Sequence, residues 1–277
     1  MELKKYNNTS VIIPYFCGLG AHSPDHTKQA LEKRVEWFRE CIKSLLPFGD
    51  NFFIGTCIEE DAQKVQEVIS EFDIKVNCVF FKGIQPHYLP YNLVRFTQSK
   101  LDDNKAPYVY YTEMDQVFYA EDFNYLCDLI DNDSNAYIVP QRFEQIPRHK
   151  VETRKKRFNV ANDRFVEFKG VFADNNPYVV ANEPWITVSY DDNFYVNKKG
   201  NIKILDDSSY GGAYGAAYFV SKKLFKSIYF NAVEFQPTEQ TAGHDLLRHD
   251  KSICLKSKDL FYFHVDHLSG YEFNKNL

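Results

Sequence analysis

The sequence predicts an α/β fold with a Rossmann-like first half, a mixed central sheet and a smaller, more antiparallel second half. Residues 11–16 form an unbroken apolar run, which is typical of a parallel strand buried on both faces. Strand-like and helix-like segments then alternate as far as residue 112, a pattern that favours a parallel sheet covered by helices. The apolar fraction of 44% and the charged fraction of 26% match soluble globular domains, so disorder is not favoured.

The individual elements follow in order. Apolar residues at helical spacing predict a helix over residues 30–46, ended by Pro47. Further strands are predicted at 51–58, 76–81 and 108–112, and further helices at 60–72 and 91–101. Ligands of such sheets bind beyond the carboxyl ends of the strands. Residues that directly follow a strand are therefore the first candidates for a functional site.

Past residue 131 the regular alternation ends. We predict a strand at 136–140, a long loop or small insertion at 141–175, strands at 178–190, 193–197 and 216–220, and a helix at 222–228. We expect one catalytic domain over residues 1–277, with halves at 1–131 and 132–277.

Charge and composition restrict the partners and the compartment. The net charge of −5 argues against attraction of the whole surface to nucleic acid. Six cysteines without a CxxC pair, most within apolar patterns, predict reduced core residues. We expect no signal peptide and no transmembrane segment, since the first residues lack a signal-peptide core and no apolar run reaches about 18 residues. A soluble, cytoplasmic protein is predicted, with any membrane association peripheral.

Two acids end the fourth predicted strand, in the stretch YVYYTEMDQVFY. Side chains of an extended segment alternate faces, so Glu113 and Asp115 are expected to point the same way, with Met114 on the other side. Paired carboxylates suit Mg²⁺ or Mn²⁺. The alternative is that these acids are solvated groups at the end of a strand.

This layout, with Glu113-Met114-Asp115 after the fourth strand, resembles the GT-A family of nucleotide-sugar glycosyltransferases and their Asp-x-Asp motif. The resemblance implies a GT-A-like fold with a nucleotide-binding half at 1–131 and an acceptor-binding half at 132–277. It also implies that Glu113 and Asp115 hold Mn²⁺ or Mg²⁺ against the donor diphosphate. The implied activity is transfer of a hexose, with inversion, from a nucleoside-diphosphate sugar such as a UDP-sugar to a hydroxyl of a glycan or related acceptor.

The same resemblance implies a nucleotide-binding set at the ends of the first, second and fourth strands and at the start of one helix, which consists of Pro14, Tyr15, Phe16, Glu59, Asn92, Arg95 and Glu113. Tyr15 or Phe16 could stack on a base, whereas Phe16 could equally be a core residue. Asn92 and Arg95 are expected at the start of a helix, where amide groups and a cation meet phosphate. A plain surface position is the alternative for Arg95.

In the second half, the resemblance places Gly211 and Gly212 beside the donor sugar or the acceptor, with an ordinary turn as the alternative. Asp245 would be the general base and His244 the second choice; a helix cap is the alternative for Asp245. His264 would complete the metal site, with His267 second. Such a mixed oxygen and nitrogen set suits Mn²⁺ better than Mg²⁺.

Three alternatives stay open. The basic run at 148–157 is either a solvated face or a grip on a phosphate-bearing acceptor, at a membrane surface or on DNA. A sugar nucleotidyltransferase would share the Rossmann-like half, but its glycine-rich signature near the first strand is missing. A DNA-modifying glycosyltransferase, or a nucleic-acid binding module that uses the basic run, is the remaining reading.

Overall fold

A computed structural model describes residues 8–16, 28–103, 105–120, 123–145, 185–188, 204–205, 217–230 and 253–265.

The first half alternates strands and helices as predicted. Its elements are β1 (Thr9–Pro14), α1 (Lys28–Leu45), β2 (Gly49–Thr56), α2 (Glu59–Ile69), β3 (Val76–Phe80), α3 (Leu89–Lys100) and β4 (Tyr108–Thr112). Short 3₁₀ turns at Pro86–Tyr88 and Leu101–Asp103 flank α3. The four strands are parallel and lie in the order β3-β2-β1-β4. The predicted Rossmann-like half is confirmed.

Both faces of this parallel sheet are buried, which explains why its strands are apolar throughout. Val11 and Ile13 of β1 belong to a core cluster that includes residues of α1 and α2. Ile12, between them, belongs to a second cluster with residues of α3. Successive residues of a strand face opposite sides of the sheet, so every position of β1 is buried against one helix layer or the other.

The chain after β4 contributes mainly antiparallel strands to the same sheet. Its elements are β5 (Gln116–Ala120), α4 (Phe123–Asn132), β6 (Ala136–Gln145), β7 (Trp185–Val188), β8 (Ile204–Leu205), β9 (Ala217–Ser221), α5 (Lys222–Ser227) and β10 (Ile253–Val265). The sheet order is β3-β2-β1-β4-β9-β6-β10-β5, with β7 beside β6 and β8 beside β10. β9 is antiparallel to β4 and β6, whereas β6 and β10 are parallel.

The chain after β4 differs from the sequence prediction in several places, and the strand predicted at 193–197 lies outside the described residues. β6 continues to Gln145, so residues 141–145 are not loop; they pair with residues 261–265 of β10. β5, α4 and β8 were not predicted at all. The buried positions of α4, namely Phe123, Leu126, Cys127 and Ile130, have the helical spacing that would have identified it.

Cys41, Cys57, Cys78 and Cys127 are free thiols, as expected, but their burial varies. Cys41 and Cys127 are buried in the core, and Cys57 is half-buried. Cys78 is exposed, so the prediction of a core position is wrong there; it lies on β3, an edge strand with a half-solvated face. None of the described helices has the length and apolar character needed to cross a bilayer.

Candidate functional site

The two acids lie in a tight turn between β4 and β5. We call Glu113, Met114, Asp115 and Gln116 the acidic turn. The backbone N–H of Gln116 donates to the carbonyl of Glu113 at 3.3 Å, which is the closing bond of a four-residue turn. The expectation of an extended segment is therefore wrong here, and the direction of the two acids is set by the turn and its contacts instead of by strand alternation.

Helix α1 holds the acidic turn from one side. The indole N–H of Trp37 donates to the backbone carbonyl of Asp115, and the thiol of Cys41 lies 3.6 Å from the carbonyl of Glu113. Met114 and Asp115 are buried, and Glu113 is half-buried. Burial first, and the Asp115 carboxylate second, raise the pKa of the Cys41 thiol well above its usual range.

The end of β1 reaches the acidic turn from another side. The backbone N–H of Phe16 donates to Sδ of Met114 at 3.3 Å. The N–H of Tyr15 donates to the carbonyl of Gly55 on β2 at 2.8 Å. The carboxyl ends of β1, β2 and β4 are therefore contiguous at this edge of the sheet, where ligands of such sheets bind.

A buried amide contacts the Glu113 side chain. Nε2 of Gln116 donates to Oε2 of Glu113 at 2.9 Å, and Oγ1 of Thr112 donates to Oε1 of Gln116 at 2.8 Å. Thr112 and Gln116 are both fully buried. Sequence reasoning passed over Gln116, Trp37 and Cys41. A polar Gln at the start of an otherwise apolar strand was the signal that could have identified Gln116.

The backbone of His264 lies beside the acidic turn. β10 pairs with β5 so that His264 is opposite Gln116, and with β6 so that His264 is opposite Glu144. Directly opposed residues of antiparallel strands have Cα atoms about 4.5–5.5 Å apart. The C-terminal strand thus brings a histidine position next to the residue that follows Asp115.

The residues after β1 and β2 differ in accessibility. Tyr15 is fully buried, and its ring packs edge-on against Phe38 at 4.7 Å between centroids; stacking of Tyr15 on a base is therefore not supported. Pro14 is buried within β1, whereas Phe16 is half-buried. Glu59 is exposed in the first turn of α2.

The same turn of α2 carries an acid that the sequence analysis did not single out. Asp61 is fully buried, and its carboxylate lies 3.7 Å from Nζ of Lys64. The pKa of the nearby Cys57 thiol is raised, first by burial and second by the charge of Asp61.

Asn92 and Arg95 lie further along their helix than expected, because α3 begins at Leu89. At about 1.5 Å per residue, Arg95 is roughly 9 Å from the first residue of the helix. Nδ2 of Asn92 donates to the carbonyl of Tyr88 at 2.8 Å. The exposed Arg95 guanidinium lies 5.7 Å from the ring centroid of Tyr91 and 3.2 Å from its hydroxyl.

Several predicted site residues lie outside the described part of the chain: Gly211, Gly212, His244, Asp245, His267 and the basic run 148–157.

The carboxylates of the acidic turn fit a hard divalent cation in their chemistry. Glu113 and Asp115 supply oxygen donors, which Mg²⁺ and Mn²⁺ prefer. Within the described ranges, no group of three or more His, Cys, Asp or Glu side chains is placed to hold a metal. The pair would therefore need further ligands, which water, phosphate oxygens or the adjoining C-terminal strand can supply.

A polar groove at the opposite edge of the sheet is separate from these residues. It is lined by Asp50, Lys75, Asp103 and Lys105 among others. Asp50 is the second residue of β2, and Lys75 directly precedes β3. The groove is therefore at the amino ends of the strands, away from the acidic turn.

Comparison with known proteins establishes the fold. No protein-family model matches the sequence, and no curated protein matches it closely. Two solved structures of GT-A-type glycosyltransferases share the fold. TarS 1-349 of S. aureus has 12% identity and a TM-score of 0.50, over 94% of this chain and 60% of that one. GalNAc-T7 with UDP, GalNAc and Mn²⁺ has 10% identity and a TM-score of 0.51, over 93% of this chain and 43% of that one.

The predicted GT-A-like fold class is thus confirmed. The chain spans 60% of the TarS chain and 43% of the GalNAc-T7 chain, and at such low identity the likeness concerns the fold alone.

Proposed function

We propose that the protein is a metal-dependent glycosyltransferase. It would transfer a hexose, with inversion, from a nucleoside-diphosphate sugar, UDP-linked, to a hydroxyl of a glycan or related acceptor. The observation that carries the proposal is the acidic turn. Within a GT-A-like fold, it places two carboxylates at the carboxyl end of β4, and Met114 between them contacts the backbone N–H of Phe16 just beyond β1.

Glu113 and Asp115 would hold Mn²⁺ or Mg²⁺, with His264, or else His267, as a further ligand. Bound there, the cation would neutralise charge on the departing diphosphate. The GalNAc-T7 structure was obtained with UDP and Mn²⁺, which supports a search for the same pair of ligands here. The register of β10 supports His264, since its backbone lies opposite Gln116.

The nucleoside would lie over the ends of β1 and β2. Phe16 is the half-buried aromatic residue that a base could contact, and Pro14 and Tyr15 would support it from within the core. Glu59 is exposed and would contact the base or ribose. Asn92 and Arg95 of α3 would contact the phosphate groups. The buried Asp61 shares the turn that carries Glu59.

The chemical step needs a base for the acceptor hydroxyl. Asp245 would take that proton as the oxygen attacks the anomeric carbon, with His244 as the second choice. Gly211 and Gly212 would border the donor sugar or the acceptor. The basic run 148–157 would contact a phosphate-bearing acceptor at a membrane surface.

The deciding experiment is a donor screen with Mn²⁺, scored by slow hydrolysis of each nucleotide sugar and by thermal stabilisation. Asp115→Ala is expected to abolish Mn²⁺-dependent UDP binding. Asp103→Ala is the matched control, because Asp103 is an exposed acid at the opposite edge of the sheet. Mn²⁺-dependent UDP binding that is unchanged in Asp115→Ala would contradict the proposal.

A further inference from the structure

Gln116 occupies an unusual position for a neutral amide. It is the first residue of β5, it is fully buried, and it lies opposite His264 in the strand register. Polar groups are costly to bury unless they are hydrogen-bonded. The oxygen and the nitrogen of this amide both form hydrogen bonds, to Thr112 at the end of β4 and to Glu113 in the acidic turn.

The two hydrogen bonds fix the direction of the amide. The Thr112 hydroxyl donates to Oε1, and Nε2 donates to the Glu113 carboxylate. The reversed amide would place Oε1 against a carboxylate oxygen, where two acceptors repel each other. The network therefore has one polarity, which runs from Thr112 through Gln116 to Glu113, and its charge-assisted bond to the carboxylate is the stronger one.

The same bond offers a reason for glutamate at position 113. The carboxylate of Glu113 reaches the side chain three residues ahead at 2.9 Å. An aspartate is shorter by one methylene group, so its carboxylate would be withdrawn from that amide. The extra length that departs from the Asp-x-Asp pattern is what permits the contact.

We propose that Gln116 is a positioning residue that holds the Glu113 carboxylate in place for a ligand shared with Asp115. The inference rests on the proposed function, because the shared ligand is the divalent cation with its nucleoside diphosphate. Groups that hydrogen-bond to a metal-binding carboxylate restrict its orientation, and their loss commonly weakens metal affinity.

A purely structural Gln116 would behave differently from a positioning residue, and a double-mutant cycle separates the two. If Gln116 acts through Glu113, its replacement has an effect only while Glu113 is present. If it merely satisfies buried polar groups, its replacement has the same effect in both backgrounds. The readout is Mn²⁺ affinity in the presence of UDP, measured from the free-Mn²⁺ signal in electron paramagnetic resonance.

Four proteins make up the cycle: wild type, Gln116→Leu, Glu113→Ala and the double variant. Gln116→Leu is expected to weaken Mn²⁺ binding about tenfold in the wild-type background. In the Glu113→Ala background the same change is expected to have less than about a twofold effect. Thr97→Val is the matched control, since it removes a buried hydroxyl that donates to the Leu93 carbonyl within α3.

A second variant keeps the test valid if Gln116→Leu does not fold. Thr112→Val removes only the donor to Oε1 and is expected to weaken Mn²⁺ binding in the same direction, by less than Gln116→Leu. Equal fold-changes in the two Glu113 backgrounds, or no change in either, would overturn the positioning role while leaving the proposed function intact. A wild-type protein that binds neither Mn²⁺ nor UDP would overturn both.

Discussion

Trp37 donates its indole N–H to the backbone carbonyl of Asp115. The bond ties α1 to the acidic turn, and the nearby thiol of Cys41 contacts the carbonyl of Glu113 from the same helix. Both acids therefore have their peptide groups held by one helix. The indole bond is buried, so the loss of its donor leaves a costly unsatisfied carbonyl group.

Trp37→Phe removes this donor and part of a buried ring. We expect a loss of about 1–3 kcal/mol in the free energy of unfolding from the unsatisfied carbonyl alone, measured by urea denaturation. We also expect weaker Mn²⁺ binding. Phe38→Leu is the control, since Phe38 is equally buried on the same helix and packs on Tyr15. Equal Mn²⁺ affinities in the two variants would show that the indole bond does not position Asp115.

Glu113→Asp gives the sequence an Asp-x-Asp motif and is nevertheless expected to weaken Mn²⁺ binding. The shorter side chain loses the 2.9 Å contact with Nε2 of Gln116, so we expect Mn²⁺ affinity to fall about tenfold. Isothermal titration of Mn²⁺ in the presence of UDP measures the change. An affinity equal to or above that of the wild type would mean that the contact with Gln116 has no role in binding.

The Cys57 thiol is expected to react slowly and with a steep pH dependence. Burial and the charge of Asp61 raise its pKa to about 11. Only the thiolate reacts, so the alkylation rate should rise roughly tenfold per pH unit from pH 8 to 10. Peptide mass spectrometry after iodoacetamide treatment measures the rate for each cysteine separately. A rate that levels off below pH 9 would contradict the raised pKa.

Asp61→Asn tests the second cause of that shift. Loss of the negative charge favours the thiolate, so Cys57 should be alkylated faster at pH 8 than in the wild type. Asp73→Asn serves as the control, because Asp73 is exposed beyond the end of α2. An unchanged Cys57 rate in Asp61→Asn would leave burial as the only cause.

Gln98→Leu is expected to separate stability from ligand binding. Nε2 of Gln98 donates to the carbonyls of Phe225 at 2.7 Å and Ile228 at 2.9 Å, and so it ties α3 to the end of α5. Removal of this donor should cost about 1–3 kcal/mol of unfolding free energy, as measured by urea denaturation. UDP and Mn²⁺ affinities at 20 °C, well below the unfolding transition, should not change. A loss of UDP affinity would indicate that this junction supports the site.

The fold was predictable where one physical signal dominated. Strands buried on both faces, such as β1, are continuous apolar runs, and their helices carry a clear period. The acidic turn was located from the sequence, but its shape was not, because the closing bond of Gln116 and the contacts from Trp37 depend on tertiary packing. The burial of Tyr15 could not be predicted either, since its ring packs against Phe38 of α1.

The position of β9 between β4 and β6 has a consequence for how the chain folds during synthesis. Tyr110 of β4 pairs with Phe219 of β9. The side of β4 that faces β9 therefore stays unpaired until a segment that leaves the ribosome much later is available. Pairing of such distant segments is slow. The side of β4 that pairs with β9 is thus expected to be completed late in folding.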